Sequence, residues 1–547
     1  MPNEKGVSKL KDFYKILMKL RYPVSIALMT VMSYQGVRFM NAGHSYEQAV
    51  PFRIFCICFA LLVLTNLPRK SYMTWWSVIW VPVCYVVMHF GYEKHWIPDV
   101  CEYKFVDVIR LGKGVALTWG WMLIAVLVYI IKDGLVFDLI DRLKEAELTR
   151  HVLVAGWMIY AVVLTVFNPG YYYVIVFTLG FSCFFIACRV KKTRQRVFDA
   201  YLNAIPLCFI FVSLLSLRYR PFDTERYLLY FANENMAGMF LGVTAMVMAA
   251  RLNRSWHMEK GPKRTFFLIA EHILTAWLGV LIFFNYTRTY LLGMGVSVIA
   301  YYILRMLKSK KKLRLTGRFA LPLLIILISL YPGYQIIRYV PAYSDAPVFF
   351  AGEYENESKV HKGDPVDSPH YTSLARYLTR SLGKWGIDLH IEEADKTDTE
   401  EVVTINTERD VTNGRTWVWK LFLSHMSFFG HYPGHITVDG DHVIYHAHNT
   451  FFQNMYQYGV PVGILYGMLL LWAWLCAARL VLRKQNLNEA SFACLSIGMI
   501  GVGMMTEWSG HPVYPSGMLI MMSLAVLLFG VSTTPKTTIR KVNLWPG

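Results

Sequence analysis

Charge is scarce in this chain of 547 residues: Asp, Glu, Lys and Arg make up 17%, against 55% apolar and 15% aromatic residues. A soluble protein of this length would divide into about two to four domains, and it would need more polar surface than a mean hydropathy of +0.35 leaves. Cysteine is scarce as well. Eight of the nine lie in apolar runs and the ninth, Cys101, stands alone in an outer loop, so no disulfide framework exists. Cys56 and Cys58 form a CxC inside an apolar run with no second ligand pair, and read as small apolar residues. The basic N-terminal stretch MPNEKGVSKLKDFYKILMKLRYP shows no small-residue cleavage site and reads as leading straight into a span. No internal repeat at solenoid or inverted-repeat spacing is visible. These absences exclude a soluble enzyme, a secreted disulfide scaffold and a disordered chain.

What the chain does have is a series of apolar blocks of about 17–20 residues, roughly the length a helix needs to cross a bilayer. Spans are expected near 23–40, 51–67, 73–91, 115–131, 151–167, 171–188, 199–217, 232–250, 265–284, 289–305, 319–337, 460–478, 490–507 and 514–531. The predicted fold class is all-α: a polytopic integral membrane protein with about 12–14 transmembrane helices. The net charge of +18 could suggest nucleic acid, so its distribution decides. With the N-terminus in the cytoplasm, basic runs such as RVKKTRQR (189–196) and LKSKKKLRLTGR (307–318) all fall inside. The positive-inside rule then holds at every crossing and puts both termini in the cytoplasm. The basic charge is a topology signal, with contact to anionic membrane lipid as a by-product, and no nucleic-acid partner is needed.

Four segments follow: transmembrane helices at 1–198, further spans with outer-face arginine turns at 199–337, a large extracytoplasmic loop at 338–459, and spans with a cytoplasmic tail at 460–547. Within the loop, residues 338–447 carry 17 acids and 10 bases, an acidic subdomain beside an otherwise basic chain. Residues 371–385 and 412–430 have helical periodicity with aromatic faces. The part before them is turn-rich, and IEEADKTDTEEVV between them reads as an acidic link.

Site signals concentrate at the outer surface. Arg218, Arg220 and Arg226 follow the seventh span, and Arg288 sits in the short turn NYTRTY, all against the positive-inside bias. A basic group at the hydrocarbon centre costs roughly 2.5–3.5 kcal/mol on insertion scales, and less near the interface. Snorkelling or pairing with loop acids is one reading. The other is an anion clamp, because guanidinium offers a planar fork for phosphate oxygens that lysine cannot copy, and all four residues are Arg.

The second signal is YHAHNTFFQNMYQYGVPVG at 445–463. Asn449 can cap a helix from Thr450 to Tyr458, with Gly459 ending it before Pro461. His448 then stands beside a positive helix end, which disfavours imidazolium and suits a general base. Packing at the bilayer surface is the alternative role for such a histidine. His431, His435, His442 and His446 lie close by, and His431/His435 and His446/His448 have usable zinc spacing, but no cysteine supports a metal site.

Together these residues resemble the bacterial O-antigen ligase and polymerase superfamily, GT-C-type glycosyltransferases. His-Asn, nine residues, then Gly (His448, Asn449, Gly459) is similar to its signature. FANENMAGMF (231–240), with Asn235, resembles its Asn-rich span entrance, and NYTRTYLLGMGVSVIAYYIL (285–304) its Arg turn. GRTWVWKLFLSHMSFFGH (414–431) resembles its Arg-x-x-Trp loop helix. The resemblance covers about residues 200–480. One departure is that the family's closing Gly-x-x-Gly becomes Gly459 followed by Gly463, which bears on the turn geometry.

The resemblance implies a glycan donor on undecaprenyl diphosphate, a glycan or glycolipid acceptor, and other polysaccharide-assembly proteins as partners, in a bacterial cytoplasmic membrane. Arg288, Arg415 and one of Arg218 or Arg220 would hold the diphosphate, and His448 would deprotonate an acceptor hydroxyl that attacks with inversion. No cofactor and no metal is implied. Asn449, Asn235, Trp417 and Tyr445 would contact acceptor or sugar; Trp417, Trp419, Tyr432 and Tyr445 equally suit an interfacial aromatic belt. The reaction is either polymerisation of repeat units or ligation of a finished chain to another acceptor. A flippase for the same lipid-linked glycans is the alternative of another class, but mid-membrane polar residues are few: Asn203, Glu271 and His272.

Overall fold

The computed structural model describes residues 4–42, 45–68, 71, 74–93, 112–132, 155–157, 159–160, 162–164, 172–219, 226–342, 374–383, 415–431, 435–438, 442–485, 487–509 and 511–529. The helices are α1 (Glu4–Asn41), α2 (Ser45–Asn66), α3 (Trp75–Glu93), α4 (Gly112–Lys132), α5 (Tyr172–Cys188), α6 (Lys191–Tyr219), α7 (Glu234–His257) and α8 (Pro262–Asn285). They continue with α9 (Arg288–Leu307), α10 (Lys312–Ala342), α11 (Leu374–Gly383), α12 (Arg415–Ser424), α13 (Thr450–Tyr458), α14 (Val460–Arg483), α15 (Leu487–Met504) and α16 (Pro515–Phe529). Each expected span meets a helix at the expected place, except 151–167, which lies largely outside the described residues. Among the described residues, seven helices are long and apolar enough to cross a membrane, and five shorter apolar helices accompany them. The chain is a polytopic, largely helical membrane protein.

The loop departs from the all-α expectation. Between α12 and α13, Ile436–Val438 (β1) pairs antiparallel with His442–Ile444 (β2). The β-branched residues Ile436, Thr437, Val438, Val443 and Ile444 suit a short hairpin. Its apolar side joins Phe422, Ala447 and Tyr456 in a small separate core, with Val418 and Phe452 against it. The acidic link, the turn-rich stretch before α11 and Cys101 lie outside the described residues.

Burial grades across the bundle. The most apolar stretch of α7 is 72% buried and that of α15 67%, whereas α9 and α10 reach only 22% and 17%. α16 is buried nearly throughout and packs against α1, α6, α7, α14 and α15. α8 to α10 therefore present their aliphatic faces outward, as helices in lipid do.

Apolar contact does not favour one helix pairing over lipid, so close approach and buried hydrogen bonds fix the register. α9 meets α15 through Gly293, where an added Cβ would fall 2.8 Å from the Met499 carbonyl oxygen. Ser297 Oγ donates to the Leu495 carbonyl at 2.6 Å, and the Tyr301 and Ser491 hydroxyls lie 2.8 Å apart. Gly293→Ile should force the helices apart and destabilise the bundle by about 1–3 kcal/mol, read as a lower thermal midpoint in detergent. Gly295→Ala, where a Cβ meets nothing within 4 Å, should leave the midpoint unchanged.

Candidate functional site

The turn between α15 and α16 is the floor of the site. α15 ends at Met504, short of the expected 507, so Glu507 lies in the turn with its side chain nearly buried. The loop closes onto this turn. At the start of α12, Arg415 Nη2 lies 2.5 Å from Glu507 Oε1 and Nη1 donates to the Thr506 carbonyl at 2.6 Å. At the start of α13, Asn449 Nδ2 donates to the Met505 carbonyl at 2.8 Å and Thr450 Oγ1 to the Glu507 carbonyl at 2.7 Å. The Ser509 N–H returns a bond to Thr450 Oγ1 at 3.0 Å.

Asn449 does what its position in the sequence predicted. Its extended backbone and Oδ1, accepting from the Phe451 and Phe452 N–H groups, cap α13. Gly459 takes φ +101°, and a Cβ there would lie 2.4 Å from the Phe428 carbonyl oxygen. Gly463 answers the departure in the closing glycines: a Cβ at that position would meet Met455 Cγ at 2.3 Å, so α13 folds back closely on α14.

His448 occupies the left-handed region at φ +47°, uncommon for a residue with a Cβ and more frequent for His than for most. Its Nδ1 is buried and lies 3.5 Å from Glu507 Oε2, longer than a hydrogen bond. The side chain is 36% exposed, so the accessible part of the ring lies away from Nδ1. Arg415 takes one Glu507 oxygen and His448 faces the other. A carboxylate beside Nδ1 favours the tautomer with its proton there and leaves the Nε2 lone pair outward.

The His446 ring sits 4.4 Å from that of His448 and stacks on Trp508 at 6.0 Å. Burial pushes its imidazole down to about 4; His448 and Arg415 act the same way, and Glu507 opposes them. Burial likewise pushes His511 down to about 3, and its Nδ1 accepts from the Val513 N–H at 3.3 Å. His431 stacks on Tyr456 at 4.6 Å and His435 lies 6.0 Å from Tyr445. Among the described residues no three His, Cys, Asp or Glu side chains converge as a metal set would.

Arg288 begins α9 after a two-residue connection from α8. Tyr286 turns the chain at φ +51°, and Thr287 Oγ1 bonds the Glu234 carbonyl at 2.8 Å. Gly238 makes room, since a Cβ there would lie 2.6 Å from Thr287. Thr289, next to Arg288, meets Thr506, next to Glu507, through their hydroxyls at 3.1 Å, which brings the arginine turn against the floor of the site. Asn235 lies in the first turn of α7, beside Glu234, its N–H capped by Asn233 Oδ1 at 2.7 Å. Trp417 and Tyr445 are exposed around the site, while the Trp419 ring packs edge-on against Phe452.

Some expectations are revised. Both terminal nitrogens of Arg415 are engaged by protein, so its fork is not open for a two-point grip on phosphate. Arg218 lies exposed in the last turn of α6, and it is Arg226 that joins the Arg288 turn, pairing with Glu234 at 2.8 Å. Arg220 and Tyr432 lie outside the described residues. Glu507 was not anticipated: it closes an apolar run, where an acid reads as a span boundary. Its signal was the polar cluster Thr-Glu-Trp-Ser directly after a span. Away from the site, Glu271 pairs with Arg251 at 3.2 Å and Arg251 with Asn203 at 2.5 Å, a contact among α6, α7 and α8.

Because the fold holds His446 and His511 neutral, while an unfolded histidine protonates near about 6.5, acid favours opening. Stability should be full above about pH 6.5 and fall as pH drops toward the folded values, about 4 and about 3. Thermal midpoints taken across that range should fall on the acid side, and His446→Gln should flatten part of the fall. An unchanged slope would show that His446 takes up its proton without cost.

Compared with known proteins, the chain matches no family model, no curated protein and no solved structure. The chemistry of the site stands on its own residues.

Proposed function

We propose that this chain is a membrane glycosyltransferase that transfers or polymerises a glycan from an undecaprenyl-diphosphate-linked donor onto a sugar hydroxyl, at the outer face of a bacterial cytoplasmic membrane. The observation that carries the reading is the Arg415–Glu507–His448 arrangement at one end of an apolar bundle: a carboxylate held by a guanidinium faces the buried nitrogen of a half-exposed imidazole. In the proposed reaction Nε2 of His448 takes the acceptor hydroxyl proton, and the hydroxyl oxygen attacks the anomeric carbon. The bond from that carbon to the diphosphate oxygen breaks, with inversion. Glu507 stabilises the imidazolium that forms, in the way a buried carboxylate supports other His bases.

Arg288 binds the departing diphosphate in this scheme. Arg415 acts through Glu507 and adds positive potential, because its terminal nitrogens are already committed. Asn235 borders the acceptor and Trp417 and Tyr445 offer exposed rings on which sugars stack, while Asn449, buried and with both amide atoms engaged, holds the start of α13 in place beside His448. Polar features at the site end, together with the pairing of Glu271, Arg251 and Asn203 with one another, favour chemistry over transport through the bundle.

Purified protein, a lipid-diphosphate oligosaccharide and an acceptor provide the assay. His448→Ala and His448→Gln should each lower transfer by about 10²–10⁴, with the protein still folded, while His446→Ala stays far milder. Glu507→Gln should depress turnover and alter its pH profile. Arg288→Lys should impair transfer because the charge remains and the fork is lost. An active Gln variant at 448 would remove the general-base role.

The sidedness has its own check. Thr437, exposed on β1, changed to Cys in a Cys101→Ser background should react with a membrane-impermeant maleimide in intact spheroplasts. Reaction only after permeabilisation would invert the topology.

A further inference from the structure

The far end of α9 carries a cavity that glycosyl transfer does not use. α9 runs 20 residues from Arg288 to Leu307, so its ends lie about 30 Å apart at roughly 1.5 Å per residue. At the Leu307 end, a cavity of about 280 Å³ is lined by Arg305, Lys308, Ser309, Lys310 and Lys311 from the α9–α10 turn, and by Val481 and Lys484 from the end of α14. Five of these side chains are cationic and none is acidic. Close by, the Arg264 and Arg318 guanidiniums lie 5.7 and 5.3 Å from the Trp256 ring, and Arg305 is near enough to repel Arg318.

Helix ends account for part of this charge. Lys308 and Lys484 are the C-caps of α9 and α14, where a cation complements the partial negative charge. Lys310 and Lys311 stand instead just before the first turn of α10, where the helix end is itself positive and disfavours them. Their convergence with Arg305 on one cavity calls for an anion. Next in sequence to the lining residues, Leu307 is 69% exposed and Leu313 88%, on the two least buried of the seven candidate spans.

We propose that this cavity binds the phosphate of an anionic glycerophospholipid, with Leu307 and Leu313 lying against its acyl chains. Basic pockets between transmembrane helices recognise acidic headgroups by this chemistry. A free phosphate would meet the lysines alone, whereas a phospholipid joins that headgroup to the acyl chains that meet the outward faces of α9 and α10. The inference holds whichever reaction occurs at His448.

The test uses the full chain in phosphatidylcholine nanodiscs containing a minority of phosphatidylglycerol, with bound lipid read by native mass spectrometry. The double variant Lys308→Gln/Lys484→Gln should hold phosphatidylglycerol about tenfold more weakly. Lys19→Gln/Lys192→Gln, two exposed lysines on α1 and α6, should hold it as the parent does. Leu313→Ser, at a position too exposed to matter for folding, should weaken retention severalfold without changing the thermal midpoint, and so tests the site even if the lysine variant unfolds. Equal loss in both lysine pairs, no loss in either, or no effect of Leu313→Ser would overturn the proposal. Displacement of the lipid by millimolar inorganic phosphate would also overturn it, and assign the cavity to a free phosphate.

Discussion

The carboxylate of Glu507 is nearly buried where the bundle meets the large loop, and a buried charge must have a partner. Arg415 supplies one from within the large loop, 92 positions earlier in the chain, at 2.5 Å. Removing one member of such a pair costs about 3–5 kcal/mol, because the other is left uncompensated. The pair is therefore the clasp that seats α12 on the turn between α15 and α16. α13 is seated on the same turn by Asn449 and Thr450, which bond the Met505 and Glu507 carbonyls. The clasp and the cap together bring His448 to the second oxygen of Glu507.

The two ends of the bundle solve different problems. At the His448 end, Arg415 pairs with Glu507 and Arg226 with Glu234, and the Thr289 and Thr506 hydroxyls are hydrogen-bonded. Pre-set groups of this kind need little rearrangement when a reaction develops charge. At the other end, cations gather around Trp256 and Lys484 without comparable acids in the cavity lining. That suits a surface which an anionic leaflet neutralises. The buried helices α7, α15 and α16 join the two ends, and the outward faces of α8 to α10 meet lipid.

The sequence by itself determined where the apolar helices lie, because the length and composition of an apolar helix are local properties. It also determined the cap of α13, since Asn449 and Gly459 act on their own backbone neighbours, and the short Arg288 turn, which two flanking apolar runs define. It missed the β1–β2 hairpin, whose strands are three residues each and owe their stability to Phe422 and Tyr456 from other elements. Only the tertiary structure decided the partner of His448. Glu507 lies 59 positions further on, beyond three helices, and nothing local marks a carboxylate that closes an apolar run as a neighbour of an imidazole. The same holds for Arg415, whose residue type predicted a phosphate fork and whose neighbours turned it into a clasp. Charge and hydrogen-bonding capacity are written in the sequence, but which partner satisfies them is settled by packing, because burial chooses the contacts that remain once water is excluded.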